Sequence, residues 1–279
     1  MQKLNVVILA AGKGSRMKSA LPKVLHKIGG LSLLQHATNA ARAIKADNIH
    51  VVVGHGAGQI RTAMQGQELQ FVLQEQQLGT GHAVQCALPL LDTSATALVL
   101  YGDVPLITPQ TLTDLLTLAG ADSMAVLTCQ VRNPKGLGRI IRDEQGEIIG
   151  IVEHKDATDE QLEISEINSG ILALPVFRLA QWLPQLKANN AQQEYYLTDL
   201  VTLAIGDGCK VHTLVTNKEL EIQGVNTRQQ LAQLERSVQT TLAENLMTNG
   251  VTLRDPSRID IRGTVEHGID IEIDINVIM

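Results

Sequence analysis

Five short apolar runs recur in the first half of the chain, with segments of helical spacing between them. They are NVVILA (5–10), IHVVVG (49–54), QFVLQ (70–74), ALVLYGD (97–103) and SMAVLTCQV (123–131). Rows of Val, Ile and Leu without polar alternation suit strands buried on both faces, as in a parallel sheet. Residues 33–46, 80–91 and 109–119 carry the helical spacing and predict helices. Strands alternating with helices imply a doubly wound α/β sheet. Ligands of such sheets bind beyond the carboxyl ends of the strands. LAAGKG (9–14) and YGDVP (101–105) both follow predicted strands, so they are expected to share one site.

From about residue 132 the texture changes. GRIIRDEQGEIIGIVEHKD (138–156) predicts a β-hairpin turning at 144–146. INSGILAL (167–174), CKVHTLVT (209–216) and EIQGV (221–225) predict three further strands. Residues 227–248 predict a long amphipathic helix, with Leu231, Leu234, Val238, Leu242 and Leu246 as its apolar stripe. Asn226 or Thr227 can cap its start and Gly250 can end it. Beyond Gly250, Ile259, Val265, Ile271 and Val277 recur every six residues. Period six fits one side per hexad of a left-handed parallel β-helix; a plain β-hairpin is the other reading. If the repeat is real, the chain holds little more than one coil and reads as a piece of a longer protein. Apolar hexad positions such as Val277 would then be exposed at its open end.

The loop after the first strand carries the chemistry. Gly12 and Gly14 can take positive φ and let a ligand approach the backbone. Exposed N–H groups in such a loop cradle anions such as phosphate. Met17 stands where the dinucleotide fingerprint G-x-G-x-x-G has its last glycine, which disfavours an NAD site. Ser15 follows Gly14 where a P-loop needs lysine. Arg16 and Lys23 can flank a polyphosphate, and Pro22 restricts the backbone before Lys23. Asp103, at the end of a predicted buried strand, suits Mg²⁺ or a helix cap.

Composition narrows the partners. The 279 residues carry a net charge of −6, so an anionic ligand needs a local cationic cluster. Neither nucleic acid nor an anionic membrane is an expected partner. Aromatic residues make up only 2% of the chain, too few for a base-stacking platform. Cys86, Cys129 and Cys209 form no Cys-x-x-Cys pair and have no evident His partner in sequence. They read as reduced packing residues of a cytoplasmic protein. No run reaches the length of a membrane helix, and the start lacks a convincing signal-peptide cleavage region.

LAAGKGSRMKSALPK (9–23) resembles the L-A-A-G-x-G-[ST]-R-M-x4-P-K signature of sugar-nucleotide pyrophosphorylases. QLGTGHAV, LYGDVPL, GRIIR, GIVEHKDA, EINSGI, NAQQEYYLTD and EIQGVNTR follow in the order of the family's bacterial uridyltransferase branch. The resemblance covers residues 4–279, with one length departure near 143–147. It implies a Rossmann-like doubly wound mixed sheet, the nucleotidyltransferase fold, over residues 1–228. A linker helix over 229–249 and the first coil of a left-handed β-helix over 250–279 are implied to follow.

The implied activity is Mg²⁺-dependent uridylyl transfer from UTP to N-acetylglucosamine-1-phosphate, giving UDP-N-acetylglucosamine and pyrophosphate. Full-length members also acetylate glucosamine-1-phosphate with acetyl-CoA and are homotrimers. In this piece acetyl transfer is expected to be absent and the trimer weakened or absent.

The resemblance also assigns residues. Leu9, Ala10, Ala11, Gly12 and Gly14 wrap the nucleotide, with Arg16 and Lys23 on its phosphates. Gln74, Gly79 and Thr80 hold the uracil. Tyr101, Gly102, Gly138, Glu153 and Asn168 line the sugar pocket. Asp103 and Asn226 adjoin it and bind Mg²⁺. Arg16, Lys23 and Asp103 are the implied catalytic set. Rival readings are a related enzyme using glucose-1-phosphate or dTTP, a non-catalytic sugar-nucleotide binder, and an NAD-dependent dehydrogenase.

Overall fold

The computed structural model describes residues 3–279. β1 (Leu4–Ala10) leads into a loop with two 3-10 turns, Ser15–Met17 and Lys23–Leu25. A small antiparallel ladder, β2 (Lys27–Ile28) with β3 (Leu31–Ser32), comes next. Then follow α1 (Leu33–Ala43), β4 (Asn48–Val53), α2 (Ala57–Ala63), β5 (Gln70–Leu73), α3 (Thr80–Ala87) and β6 (Thr96–Tyr101). The middle of the chain holds α4 (Pro109–Leu118), β7 (Ser123–Gln130), β8 (Arg139–Arg142), β9 (Ile148–Val152), α5 (Asp159–Leu162) and β10 (Glu166–Pro175). After it come α6 (Val176–Trp182), α7 (Asp199–Gly206), β11 (Lys210–Thr216), α8 (Glu219–Ile222) and α9 (Arg228–Thr248). The tail contributes β12 (Thr252–Leu253), β13 (Ile259–Asp260), β14 (Glu272–Ile273) and β15 (Val277–Ile278).

The main sheet has the order β11-β7-β10-β6-β1-β4-β5, with the β8–β9 hairpin attached through β10. β1 pairs in parallel with both β4 and β6, so the chain turns to opposite sides of β1. That is the topological switch point, where α/β sheets bind ligands. β10 runs antiparallel to its neighbours β6 and β7, which makes the sheet mixed. Its reversal brings the start of β10 to the same edge as the carboxyl ends of β6 and β7.

Every residue of β1 is buried, the apolar run 6–10 and the polar Asn5 alike. Val6, Ile8 and Ala10 join one core layer; Val7, Leu9 and Ala11 join the other. Fully burying such a side chain contributes about 1.5–3 kcal/mol, so both layers hold the central strand in place. Among the described residues, no helix is long and apolar enough to cross a membrane.

Three expectations need correction, the last of them in the tail. EIQGV is not a strand: Glu219–Ile222 form one helical turn and residues 223–226 are irregular. The Glu221 carboxylate is buried and accepts hydrogen bonds from Thr111 (2.5 Å) and Thr108 (3.2 Å), which overrides the local strand-like alternation. The buried face of α9 is also broader than the leucine stripe. It comprises Leu234, Gln239, Ala243 and Leu246, while Leu231, Val238 and Leu242 are only partly buried. Gln239 donates to Ile261 O (2.8 Å) and accepts from Ile261 N (2.7 Å), so a buried amide ties the helix to the tail.

In the tail, β12 pairs in parallel with β14, and β13 with β15. Ile259 lies opposite Val277, three hexads further on. Val277 is half-buried rather than exposed; the most exposed apolar side chains there are Ile269 (89%) and Ile278 (61%).

His50 on β4 is fully buried, and neither ring nitrogen has a partner among the described residues. Burial holds its imidazole below the ordinary value. In the unfolded chain that value is about 6.5, so this site's stabilisation is complete above about pH 6.5. It is lost as the pH falls through the folded-state value. Thermal melts from pH 8 to 5 should show a steeper fall in Tm for the parent chain than for His50→Val; parallel profiles would remove His50 from acid sensitivity.

Candidate active site

The cleft lies at the carboxyl edge of β1, β5 and β6. Leu9, Ala10, Ala11, Gly12, Lys23, Gln74, Gly79, Thr80, Tyr101 and Asp103 line about 270 Å³. Ten of the sequence-assigned residues therefore meet in one cavity. Gly12 has open space where a Cβ would stand, as close ligand approach to the backbone requires. Gly14 has φ 59°, and a Cβ there would come within 2.7 Å of Lys23 Cβ. Its function is thus to let Lys23 pass beneath the loop. Gly14 and Arg16 do not line the cleft, and Arg16 is exposed on its short 3-10 turn.

Lys23 Nζ donates to Asp103 Oδ2 in a short ion pair and to Asn226 Oδ1 at 3.0 Å. Residues more than two hundred positions apart thus face one point. Val225 N donates to Asp103 O (2.9 Å), which holds the 223–226 segment against β6's end. Gln230 Oε1 accepts from the N–H groups of Asn226 (2.8 Å) and Thr227 (3.1 Å). Thr227 caps α9 in return, completing a capping box. Gln230 is a positioning residue that sequence reading missed, although TRQQ carried the T-x-x-Q signal.

Met17, which merely displaced a fingerprint glycine in the sequence, is an anchor in the structure. Its side chain is buried against Ile28, Leu33, Val225 and Leu234. Arg228 Nε donates to its carbonyl at 3.1 Å. The loop after β1 is therefore fastened by α9.

The loop holding Gly79 is clasped by residues 194–197. Tyr195 N donates to Leu78 O and Gly81 N to Tyr195 O, both at 2.8 Å. Thr80 Oγ1 accepts from Leu197 N at 3.1 Å. Gly79 has φ 110°, and a Cβ would stand 2.7 Å from Tyr195 O, so only glycine fits. The Gln74 amide donates to Gly79 O (3.1 Å) and contacts His82 Nδ1 (3.0 Å). His82 Nε2 lies 3.8 Å from Cys86 Sγ. The expectation that no cysteine has a nearby His is therefore wrong: the two are one helical turn apart on α3. Burial raises the Cys86 thiol above its ordinary value, which keeps it protonated and opposes a nucleophilic role.

Glu153 lines an adjoining hollow of about 240 Å³ with Asp156, Asn190, Tyr196 and Asp199. Burial pushes its carboxyl above the usual range; Thr198 opposes this with a hydrogen bond of 3.2 Å, and Asp156, Asp199 and Glu194 reinforce the rise. Gly138 abuts the Glu153 carboxylate, and its carbonyl accepts from Asn168 N at 2.9 Å. Gly170, two residues after Asn168, has φ 84° and lets the Tyr101 ring pass within contact. Tyr101 lines the first cleft, and burial, then the charges of Glu153 and Asp103, strongly raise its phenol. Gly102 packs on Ala10, Val24 and Leu34 under the floor, so its contribution is to the floor rather than to the cavity wall.

Residues 6–201 match the family model described as the MobA-like NTP transferase domain. The chain belongs to the MobA-like NTP transferase family. It is a nucleotidyltransferase by that membership, and the cleft lies where the mixed sheet of such a fold binds ligands. Its relatives include the Bifunctional protein GlmU of Paraburkholderia phymatum, 56% identical over 275 residues, 99% of this chain and 61% of that protein. The Bifunctional protein GlmU of Pseudomonas putida is 54% identical over 276 residues, 99% of this chain and 60% of that one. The chain thus spans about three fifths of the length of these relatives. A solved nucleotidyl transferase from Methanothermobacter thermautotroptrophicus superposes with a TM-score of 0.63 at 19% identity, covering 86% of this chain and 99% of that one. That likeness shows the NTP transferase fold alone.

Proposed function

We propose that this NTP transferase moves a uridylyl group from UTP to N-acetylglucosamine-1-phosphate, releasing pyrophosphate and UDP-N-acetylglucosamine. The observation that carries the reading is the convergence of Lys23, Asp103 and Asn226 beside the bare backbone of Gly12. The motifs that resemble the uridyltransferase branch and the GlmU relatives support the choice of substrates. The product would feed peptidoglycan and lipopolysaccharide precursor synthesis in the cytoplasm.

The phosphate oxygen of the sugar phosphate forms a bond to the α-phosphorus of UTP, and the bond to the β-phosphate oxygen breaks in line. The attacking phosphate is already ionised, so no general base is required. Gly12 N–H and Lys23 hold phosphate oxygens, with Arg16 at the rim as a second cation. Gln74, Gly79 and Thr80 take the base. Glu153, Asn168 and the Gly138 backbone orient the sugar, with Tyr101 between the two substrates.

Asp103 and Asn226 offer two oxygens to one cation-sized point, now faced by the Lys23 ammonium. Among the described residues no three His, Cys, Asp or Glu side chains cluster as a metal cage. The oxygen pair of Asp103 and Asn226 would suit Mg²⁺, which takes one or two protein oxygens and completes its shell with phosphates and water. Bound there, Mg²⁺ supplies charge neutralisation between two anionic substrates.

Residues 229–249 serve as a linker helix, and residues 250–279 as the start of a left-handed β-helix. The parallel return of Ile259 onto Val277 supports this assignment. The longer protein would be a homotrimer built on that β-helix.

Pyrophosphate release should be measured with Mg²⁺ and UTP, CTP, dTTP, ATP or GTP across a panel of sugar-1-phosphates. UTP with N-acetylglucosamine-1-phosphate should be the best pair by at least about tenfold, the discrimination of one good polar contact. A better rate with glucose-1-phosphate or dTTP would overturn the substrate assignment. Glu153→Ala should raise KM for the sugar phosphate roughly 10- to 100-fold, the worth of a hydrogen bond to a charged group. UTP affinity should be unchanged, and equal weakening of both substrates would make Glu153 structural.

A further inference from the structure

Gln74 has its backbone fixed on both sides. Its N–H donates to Val53 O (2.8 Å), and its carbonyl accepts from Gln77 Nε2 (2.9 Å). Its side chain is almost wholly buried, so the amide has little freedom. A carbonyl can only accept, so the amide group facing Gly79 O at 3.1 Å must be the NH₂. The second amide hydrogen then points at His82 Nδ1, 3.0 Å away. Nδ1 must offer a lone pair, which places the ring proton on Nε2, facing Cys86 Sγ at 3.8 Å. Both amide hydrogens are used. The amide oxygen has no partner among the described residues and is the face left to the cleft. Turning the amide over would set its oxygen against both Gly79 O and the Nδ1 lone pair.

We propose that His82 is a specificity-determining positioning residue whose unprotonated Nδ1 locks the Gln74 amide with its oxygen toward the base. The inference rests on the cleft being the nucleotide site, as proposed above. An outward oxygen accepts from the N3–H of uracil or thymine. Cytosine carries a lone pair at N3 and, with its ring in the same place, would meet that oxygen in repulsion. Cytosine regains a hydrogen bond only by sliding along the wall, which displaces its ribose and phosphates. His82 touches no substrate; it acts through Gln74.

Two measurements on the full chain test this. Nitrogen-15 NMR of the labelled parent chain at pH 8 should show His82 with Nδ1 unprotonated and Nε2 protonated; a proton on Nδ1 would overturn the lock. Next, kcat/KM for UTP and CTP should be compared in the parent, His82→Leu and His82→Asn. The UTP/CTP ratio should fall about tenfold in His82→Leu, one hydrogen bond's worth of bias. His82→Asn, whose amide oxygen can stand where Nδ1 stood, should recover the ratio to within about threefold. An unchanged ratio in His82→Leu, including equal weakening with both nucleotides, would mean His82 only packs and would overturn the proposal. A parent chain indifferent to UTP and CTP would instead overturn the base assignment itself, while the NMR result would still decide whether the lock exists.

Discussion

Asp103→Asn should reduce turnover by at least about 10³ at ordinary Mg²⁺, the scale of losing a preorganised charge at a reacting phosphate. The substitution is nearly isosteric, so β6 and its exit turn are preserved. Val225 N donates to the Asp103 main-chain carbonyl, and that bond survives the change. What is lost is the one full negative charge beside Lys23, leaving two neutral amide oxygens at that point. The Lys23 ammonium still has Asn226 Oδ1, and the pair is open to the cleft, so the chain should remain folded. Turnover and a cooperative melt measured on the same preparation separate the two effects. Near-normal turnover in Asp103→Asn would remove Asp103 from the chemistry.

Lys23→Ala should lower kcat/KM by roughly 10²–10³, one preorganised donor's share of transition-state stabilisation. Three features aim this amine. Pro22 fixes the preceding backbone at φ −50°, ψ 137°, and the Lys23–Leu25 turn begins at the lysine itself. Gly14, lacking a Cβ, admits the Lys23 stem that any other residue would obstruct. Lys23→Arg should not rescue activity, because a planar guanidinium needs more room than the point charge it replaces. Steady-state kinetics with saturating sugar phosphate and varied UTP would show this. Parent-like kcat/KM in Lys23→Ala would return the loop to a simple turn.

The buried strands and the switch-point site were legible because they depend on local pattern. An unbroken apolar run such as residues 6–10 admits few alternatives to a doubly covered strand. The β8–β9 hairpin was legible for the same reason: Asp143 and Gly146 close its turn where the sequence placed it. What could not be read depends on partners distant in sequence. EIQGV alternates like a strand, yet Thr108 and Thr111 on another element capture Glu221 and leave a helical turn. Met17 looked like a missing glycine until Leu234 and Arg228 covered it. His82 and Cys86 stood four residues apart in plain sight, but only the helix puts them on one face. Gln239 is polar at a position that propensity assigns to the solvent side, and its two bonds to Ile261 exist only once the tail is folded back.

α9 connects the last-made part of the domain to its first loop. Arg228 reaches the carbonyl of Met17, and Leu234 covers the Met17 side chain, across more than two hundred residues of chain. Asn226 meets Lys23 over a similar separation. During synthesis the N-terminal strands emerge first and can begin to pair. The turn at Met17 in the loop between β1 and β2, by contrast, lacks its cover from Val225 and Leu234 and its hydrogen bond from Arg228 until the start of α9 has left the ribosome. The scaffold of the cleft is therefore assembled early and the loop beside it is completed late, so a nascent chain holds a sheet before it holds a site.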